Sequence, residues 1–256
     1  MRFPLYILLL ISGVRVIAQE PAKPTYYPTG NEATIVGTIT LKGTPPKLSV
    51  IDMTADPACQ ELNRKPKRDW IITNQGRLVN AFIYVRGDTL DTYKFELPQE
   101  EVIMNQRACH FEPHVFGLRV GQSLRIINGD PTHHNVHPTP KLNQEWNQTQ
   151  AANAPPMVKT FPRAEVMIPI KCNQHPWMRA YAGVMNHPYF AVSDGLGKFE
   201  IRGLPPGTYK VGVWHEIFGE QEMEITVVPG EIRNADFTFD AKKTSGNASW
   251  GFEREP

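Results

Sequence analysis

The run of the chain densest in potential ligands is Lys171-Cys172-Asn173-Gln174-His175-Pro176-Trp177-Met178, which contains Cys-x2-His-x2-Met. Upstream lies Thr132-His133-His134-Asn135-Val136-His137, and all eight histidines fall between residues 110 and 215. One thiolate, two imidazoles and a weak thioether are the donors of a trigonal His2Cys copper site with a distant methionine. Soft sulfur suits Cu(I) and imidazole suits both oxidation states, so such a site rearranges little when one electron moves. Structural zinc fits less well, because it prefers four Cys or His donors and makes little use of a thioether. A binuclear copper centre would need two cysteines in the loop, where only Cys172 stands. The functionless alternative is a β-turn with a core cysteine and a surface histidine. No Ser/His/Asp order, glycine-rich phosphate loop or zinc-protease motif is present, so the chain is not expected to be an enzyme.

These residue types need elements that bring them together. An extended strand would spread Cys172, His175 and Met178 over about 20 Å, so they must lie on a loop folded around one point. Alternation along 132–137 puts His133, Asn135 and His137 on one face and His134 on the other. Short strands rich in β-branched residues are expected at Ala33 to Leu41, Leu78 to Val85, twice between Val115 and Ile127, and at Ala164 to Ile170. From Tyr189 onward, strands at Phe199 to Ile201, Tyr209 to Trp214, Glu222 to Val228 and Ala235 to Phe239 alternate with turns such as Asp194-Gly195 and Pro229-Gly230. Asp56-Pro57 reads as the N-cap and first residue of one short helix through Leu62. No long amphipathic helical window occurs, and the fold class expected is all-β.

The segments HHNVH and CNQHPWM resemble the cupredoxins, most of all the amicyanin group, which shares this loop spacing and a His-Asn-Val-His run. The resemblance covers 101–186 and implies a Greek-key β-sandwich holding one type 1 copper through His134, Cys172, His175 and Met178. It implies that Asn135 ties the two ligand loops together by hydrogen bonds; His133 stands where the family has proline. It further implies that His175 is the solvent-facing edge through which electrons pass, with Pro176, Trp177 and Pro138 as an apolar docking rim. The function implied is one-electron transfer from a dehydrogenase or membrane redox complex to a cytochrome c or oxidase. Two further segments, SDGLGKFEIRGLPPGTYKVGVWHE and VVPGEIRNADFTF, resemble carboxypeptidase regulatory-like (transthyretin-like) β-sandwich modules, and GTITLKG and LVNAFIYVRG resemble the first strands of such a module. Residues 33–100 and 187–240 are therefore expected to build a second small β-sandwich, either interrupted by 101–186 or in tandem with it. Two other readings stand beside the carrier: a copper-handling protein, and a structural or carbohydrate-binding subunit of a larger extracytoplasmic complex.

Composition sets the frame. With 256 residues, 41% hydrophobic and 21% charged, the chain can bury cores without depending on staples. Its 27 basic against 26 acidic residues give no reason to expect nucleic acid as a partner. The cluster Arg64, Lys65, Lys67, Arg68 reads as a solvated loop. Met1-Arg2, the apolar run Leu5 to Val14 and Val16-Ile17-Ala18 describe a signal peptide over 1–18, hence a periplasmic or otherwise extracytoplasmic location. That run is about half of the ~20 residues a spanning helix needs, and Arg15 interrupts it. Residues 19–32 read as a linker and 241–256 as a flexible tail. In an exported protein, Cys59 and Cys109 are expected to pair, closing a loop whose entropy stabilises by ~4 kcal/mol. A second metal site from Cys109, His110 and His114 is the alternative. His137, His187 and His215 read as surface or hydrogen-bonded histidines.

Overall fold

Period-2 alternation organises the structure, a computed structural model that describes residues 22–45, 50–64 and 76–242. The signal-peptide segment, the basic cluster beyond Arg64 and the tail beyond Lys242 lie outside the described residues. The chain runs through β1 (Ala33–Lys42), α1 (Pro57–Leu62), β2 (Phe82–Arg86) and α2 (Asp88–Asp91). Then follow β3 (Val102–Arg107), β4 (His110–Glu112), β5 (Val115–Arg119), β6 (Leu124–Asn128) and β7 (His134–Pro138). Next come β8 (Gln148–Gln150), β9 (Met157–Lys159), β10 (Glu165–Lys171) and β11 (Arg179–Met185). The last strands are β12 (Phe190–Val192), β13 (Lys198–Leu204), β14 (Gly207–His215), β15 (Gly219–Val227), β16 (Ile232–Asn234) and β17 (Phe237–Asp240). The fold is all-β, with the strands gathered into packed sheets.

Four sheets form two sandwiches. In the first, sheet β4-β3-β6-β9 packs on sheet β5-β11-β10-β7-β8 around Met104, Leu118, Leu124, Phe161 and Ile168. In the second, β1, flanked by β13 on one side and by β16 and β17 on the other, packs on sheet β12-β2-β14-β15 around Ile35, Ile39, Val85, Tyr209 and Phe239. Strands β1 and β2 thus share sheets with strands that follow β11, and the chain between β2 and β12 builds the other sandwich.

The two sandwiches meet face to face. Along β11, Ala180, Ala182 and Val184 point into the first core, while Tyr181 and Met185 point into a third cluster with Phe82, Tyr84 and Met167. Along β2 the same alternation sends Ile83 and Val85 to one core and Phe82 and Tyr84 to the junction. Strands buried on both faces read as continuous apolar runs, which explains the AFIYV that ends the run Leu78 to Val85. The strand expected over that whole run begins only at Phe82. Asn80 has φ 58° and Leu78 N donates to Ile39 O, so residues 78–81 cross from one sheet to the other before the ladder starts. Arg119, 5% exposed, donates to the carbonyls of Met185 and Asn186 and sets its guanidinium 5.8 Å from the ring of Phe95 in the second core.

Candidate metal centre

Strands β7 and β10 lie side by side, with Lys171 opposite His137 and Ile170 opposite Pro138. That pairing places His134, at the start of β7, beside Cys172, the first residue after β10. The loop from Cys172 to Met178 is closed by its own backbone: Met178 N donates to His175 O at 2.8 Å and Cys172 N to Met178 O at 3.2 Å. The donors fold around one point as the spacing requires. His134 and His175 turn their Nδ1 atoms to each other at 2.9 Å, and Cys172 Sγ lies 3.6 Å from His175 Nδ1. Ligand atoms of His134, Cys172 and His175 all lie within 4.8 Å of one another, and all three residues are buried. Met178 is fully buried in the adjoining core. His133 is exposed and His134 buried, so the two neighbours divide between the faces of the strand.

The surroundings prepare these atoms for a cation. Burial opposes ionisation of the Cys172 thiol, but its contacts with the rings of His134 and His175 outweigh it and bring its pKa down to about 5. For His134, burial favours the neutral ring, yet the hydrogen bond to Asp130 wins and raises its pKa to about 8. His175 is likewise raised against the effect of burial, by contacts with Cys172 and Asp56. Two inward Nδ1 atoms at 2.9 Å repel unless a proton or a metal ion stands between them. One ion would be held by all three residues, the rings offering nitrogen lone pairs and Cys172 a thiolate. The residues therefore fit a thiolate-bound copper ion.

Asn135 joins the two ligand segments. Its Oδ1 accepts from Asn173 N at 2.6 Å and lies 3.3 Å from Cys172 Sγ, while its Nδ2 donates to Asn147 Oδ1 at 2.5 Å. Two carboxylates that sequence reasoning missed complete the site. Asp130 Oδ2 lies 2.8 Å from His134 Nε2, and Asp56 Oδ2 lies 3.0 Å from His175 Nε2. The available signals were the four-residue offset of Asp130 from His134 and the N-cap position of Asp56; neither says which imidazole the carboxylate meets. Asp130 also accepts from Ala108 N at 2.7 Å and Cys109 N at 2.8 Å, the two turn residues between β3 and β4. Those residues sit at φ 49° and 56°, a conformation that turns of this kind usually give to Asn-Gly.

Several expected placements differ. His175 does not face solvent: it is 4% exposed, its outer nitrogen meets Asp56, and its ring packs against Trp177 at 5.2 Å. Of the expected rim, Trp177 is 8% exposed with its indole N–H donating to Cys109 O, Pro138 is buried, and Pro176 alone is exposed. The cause is α1, which lies over His175 from a distant part of the chain. Cys59 and Cys109 form a disulfide, Cα–Cα 5.5 Å. That bond removes Cys109 from any second metal site with His110 and His114. His110 instead contacts Ala108 O, and His114 bridges Arg179 O and Glu216 at the junction of the sandwiches. His137 pairs with Glu145 at 2.6 Å and Asn173 at 3.1 Å, pointing away from the donors.

No family model matches the chain, and no curated protein is similar to it. Solved structures do match, over about a third of it. A copper-containing nitrite reductase from Thermus scotoductus aligns at 17% identity and TM-score 0.32, covering 34% of this chain and 23% of that one. Amicyanin from Paracoccus versutus aligns at 19% identity and TM-score 0.30, covering 35% of this chain and 85% of that one. A purple cupredoxin from Nitrosopumilus maritimus aligns at 16% identity and TM-score 0.29, covering 33% of this chain and 99% of that one.

Proposed function

We propose that the chain holds one copper ion between His134, Cys172 and His175, with Met178 as a weaker fourth donor, and serves outside the cytoplasm as a one-electron carrier. The observation that supports this most is the convergence of two imidazole nitrogens and a cysteine sulfur, all buried and within 4.8 Å of one another. Copper bound there supplies a Cu(II)/Cu(I) couple. The protein's part is to hold the donors in one arrangement for both oxidation states. The backbone bonds inside the Cys172–Met178 loop and the Asn135 side chain restrain three of the four donors, and burial keeps water from a further position. A closed donor set leaves no place for a substrate, so we assign no catalysis. Because His175 is covered, a redox partner such as a dehydrogenase, cytochrome c or membrane complex would meet a surface other than a bare imidazole edge. The other sandwich, with its likeness in sequence to carboxypeptidase regulatory-like modules, is read as the platform that presents this site.

The test is to add Cu(II) to metal-free protein and record visible and electron paramagnetic resonance spectra. An intense blue-to-red band with narrow hyperfine splitting is expected, and it must vanish in Cys172→Ser. Survival of the band in that variant, or no band in the native protein, refutes the assignment. A second reading, copper handling, is favoured by the covered His175, which suits holding an ion more than fast outer-sphere exchange. Potentiometry separates the two: a reversible couple supports the carrier, and Cu(I) held without one supports handling.

A further inference from the structure

We infer that Asp56 is a positioning residue for the metal centre. Its carboxylate keeps the Nε2 proton on His175, so that the lone pair of Nδ1 faces Cys172 and His134. The inference deepens the copper reading, on which its affinity arm rests.

Asp56 comes from outside the β3–β11 segment that carries the ligands, 119 residues before His175 in the chain. Its two oxygens divide the work. Oδ1 accepts from Ala58 N at 2.9 Å and Cys59 N at 3.2 Å, capping α1. Oδ2 faces His175 Nε2 at 3.0 Å and accepts from Thr132 Oγ1 at 3.0 Å. With partners on both sides the carboxylate cannot turn without losing one of them. The helix it caps cannot drift either, because Cys59 is bonded to Cys109, and Ile51 and Met53 are buried in the core that also contains Cys172 and Met178. A neutral imidazole has one N–H and one lone pair, and a carboxylate only accepts, so this contact assigns the proton to Nε2. Outer partners of this sort orient ligand rings, and losing one typically weakens metal binding by about 10- to 100-fold.

The N-cap role makes the inference separable from simple scaffolding. Asn, Asp and Ser cap helices about equally well, so if Asp56 only capped α1, Asp56→Asn and Asp56→Ser would both behave like the native protein. Positioning predicts another order. Asn has one oxygen; if that oxygen caps α1, its NH2 group faces His175 Nε2 and drives the ring proton to Nδ1, the nitrogen the metal needs. Ser caps α1 but is too short to reach the ring, and it leaves the tautomer unassigned.

The experiment compares native protein, Asp56→Asn and Asp56→Ser, each checked for an equal thermal midpoint. In metal-free protein labelled with 15N-histidine and held at alkaline pH, where the ring is neutral, the resonance of His175 Nε2 reports whether it carries a proton. Copper affinity is then measured by competition with a chelator. The expected result is a protonated Nε2 in the native protein, an unprotonated one in Asp56→Asn, and affinity about 10- to 100-fold weaker in Asn, with Ser between. A protonated Nε2 in Asp56→Asn, or equal copper affinity in Asn and Ser, would overturn the inference. If the native protein takes no copper the function proposed above fails, while the nitrogen resonances still decide what Asp56 does.

Discussion

The junction between the sandwiches offers a substitution whose cost can be worked from the coordinates. Gly117 and Gly183 are direct partners across β5 and β11, and together they leave a flat strip against which the rings of Phe82 and Phe190 lie. A Cβ at position 183 would sit 2.2 Å from Phe82 Cζ and 2.6 Å from Cε1, where ordinary contact begins at 3.4 Å. The ring would have to withdraw by more than an ångström. It has no room, being fully buried and stacked on Phe190 at 5.8 Å and Tyr84 at 5.9 Å. Overpacking of this sort costs about 1–3 kcal/mol, and the reduced freedom of the unfolded chain returns about 0.4–1 kcal/mol, so Gly183→Ala should lose about 1–2 kcal/mol. Gly195→Ala meets nothing within 4 Å and should stay within about 0.5 kcal/mol of native. Phe82→Ala alone should cost about 3–5 kcal/mol. In its presence the alanine at 183 has nothing to strike, so the double variant should cost no more than Phe82→Ala alone. Urea unfolding followed by circular dichroism measures all four. Additive losses in the double variant, or a neutral Gly183→Ala, would show that the ring does not bear on β11 as described.

Two further outcomes concern acid and the disulfide. Burial holds His215 and His187 neutral and lowers both pKa values to about 4, with the Arg119 charge adding to the effect at His187. In the unfolded chain each takes its proton near pH 6.5, so the unfolded state gains protons first and stability falls as pH drops from 6.5 to 4, by about 1.4 kcal/mol per unit per histidine. His215→Phe forfeits the hydrogen bond from Ile217 N, about 1 kcal/mol at pH 7, but should flatten that slope; an unchanged slope in urea titrations would contradict the assignment. Replacing Cys59 and Cys109 together by alanine should cost about 4 kcal/mol on loop-closure grounds, and a calorimetric loss under about 1 kcal/mol would mean that the unfolded chain is already held compact there.

What could be read from the sequence divides along the range of the interactions. The ligand loop was legible because Cys172, His175 and Met178 lie within seven residues of one another, and the division of His133 from His134 because strand alternation is local. Helix α1 was legible at both ends from Asp56-Pro57. The hairpin of β3 and β4 was not, since its turn residues Ala108 and Cys109 hold positive φ without glycine or asparagine. Asp130 supplies what those residues lack by accepting both turn amides, and a contact across 21 or 22 residues leaves no periodic trace. Long range also explains the misplaced electron port. Nothing near His175 in sequence announces that a helix more than a hundred residues upstream lies on its ring.

That helix reaches the site by a costly route. Strand β1 belongs to one sheet of the flanking sandwich and β2 to the other, yet the chain between them leaves that sandwich, deposits Ile51, Met53 and Cys59 in the core beside the metal donors, and returns. The segment β3 to β11 is the second departure from the same sandwich, and it brings Cys109, Asp130, His134, Cys172 and His175. The two excursions meet at the candidate centre, where Cys59–Cys109 joins them covalently and Asp56–His175 joins them by hydrogen bond. The meeting completes the core of the ligand-bearing sandwich, to which the first excursion contributes Ile51, Met53 and Cys59. It also gives His175 a carboxylate on its outer face, Asp56, to match the Asp130 that the second excursion itself places on His134. A site needing only two imidazoles and a thiol would require neither the crossing nor the bridge. The route taken by residues 50–64 thus serves the core and the ring of His175 together, and the asparagine and serine variants at position 56, which leave Ile51, Met53 and Cys59 in place, measure the second of these alone.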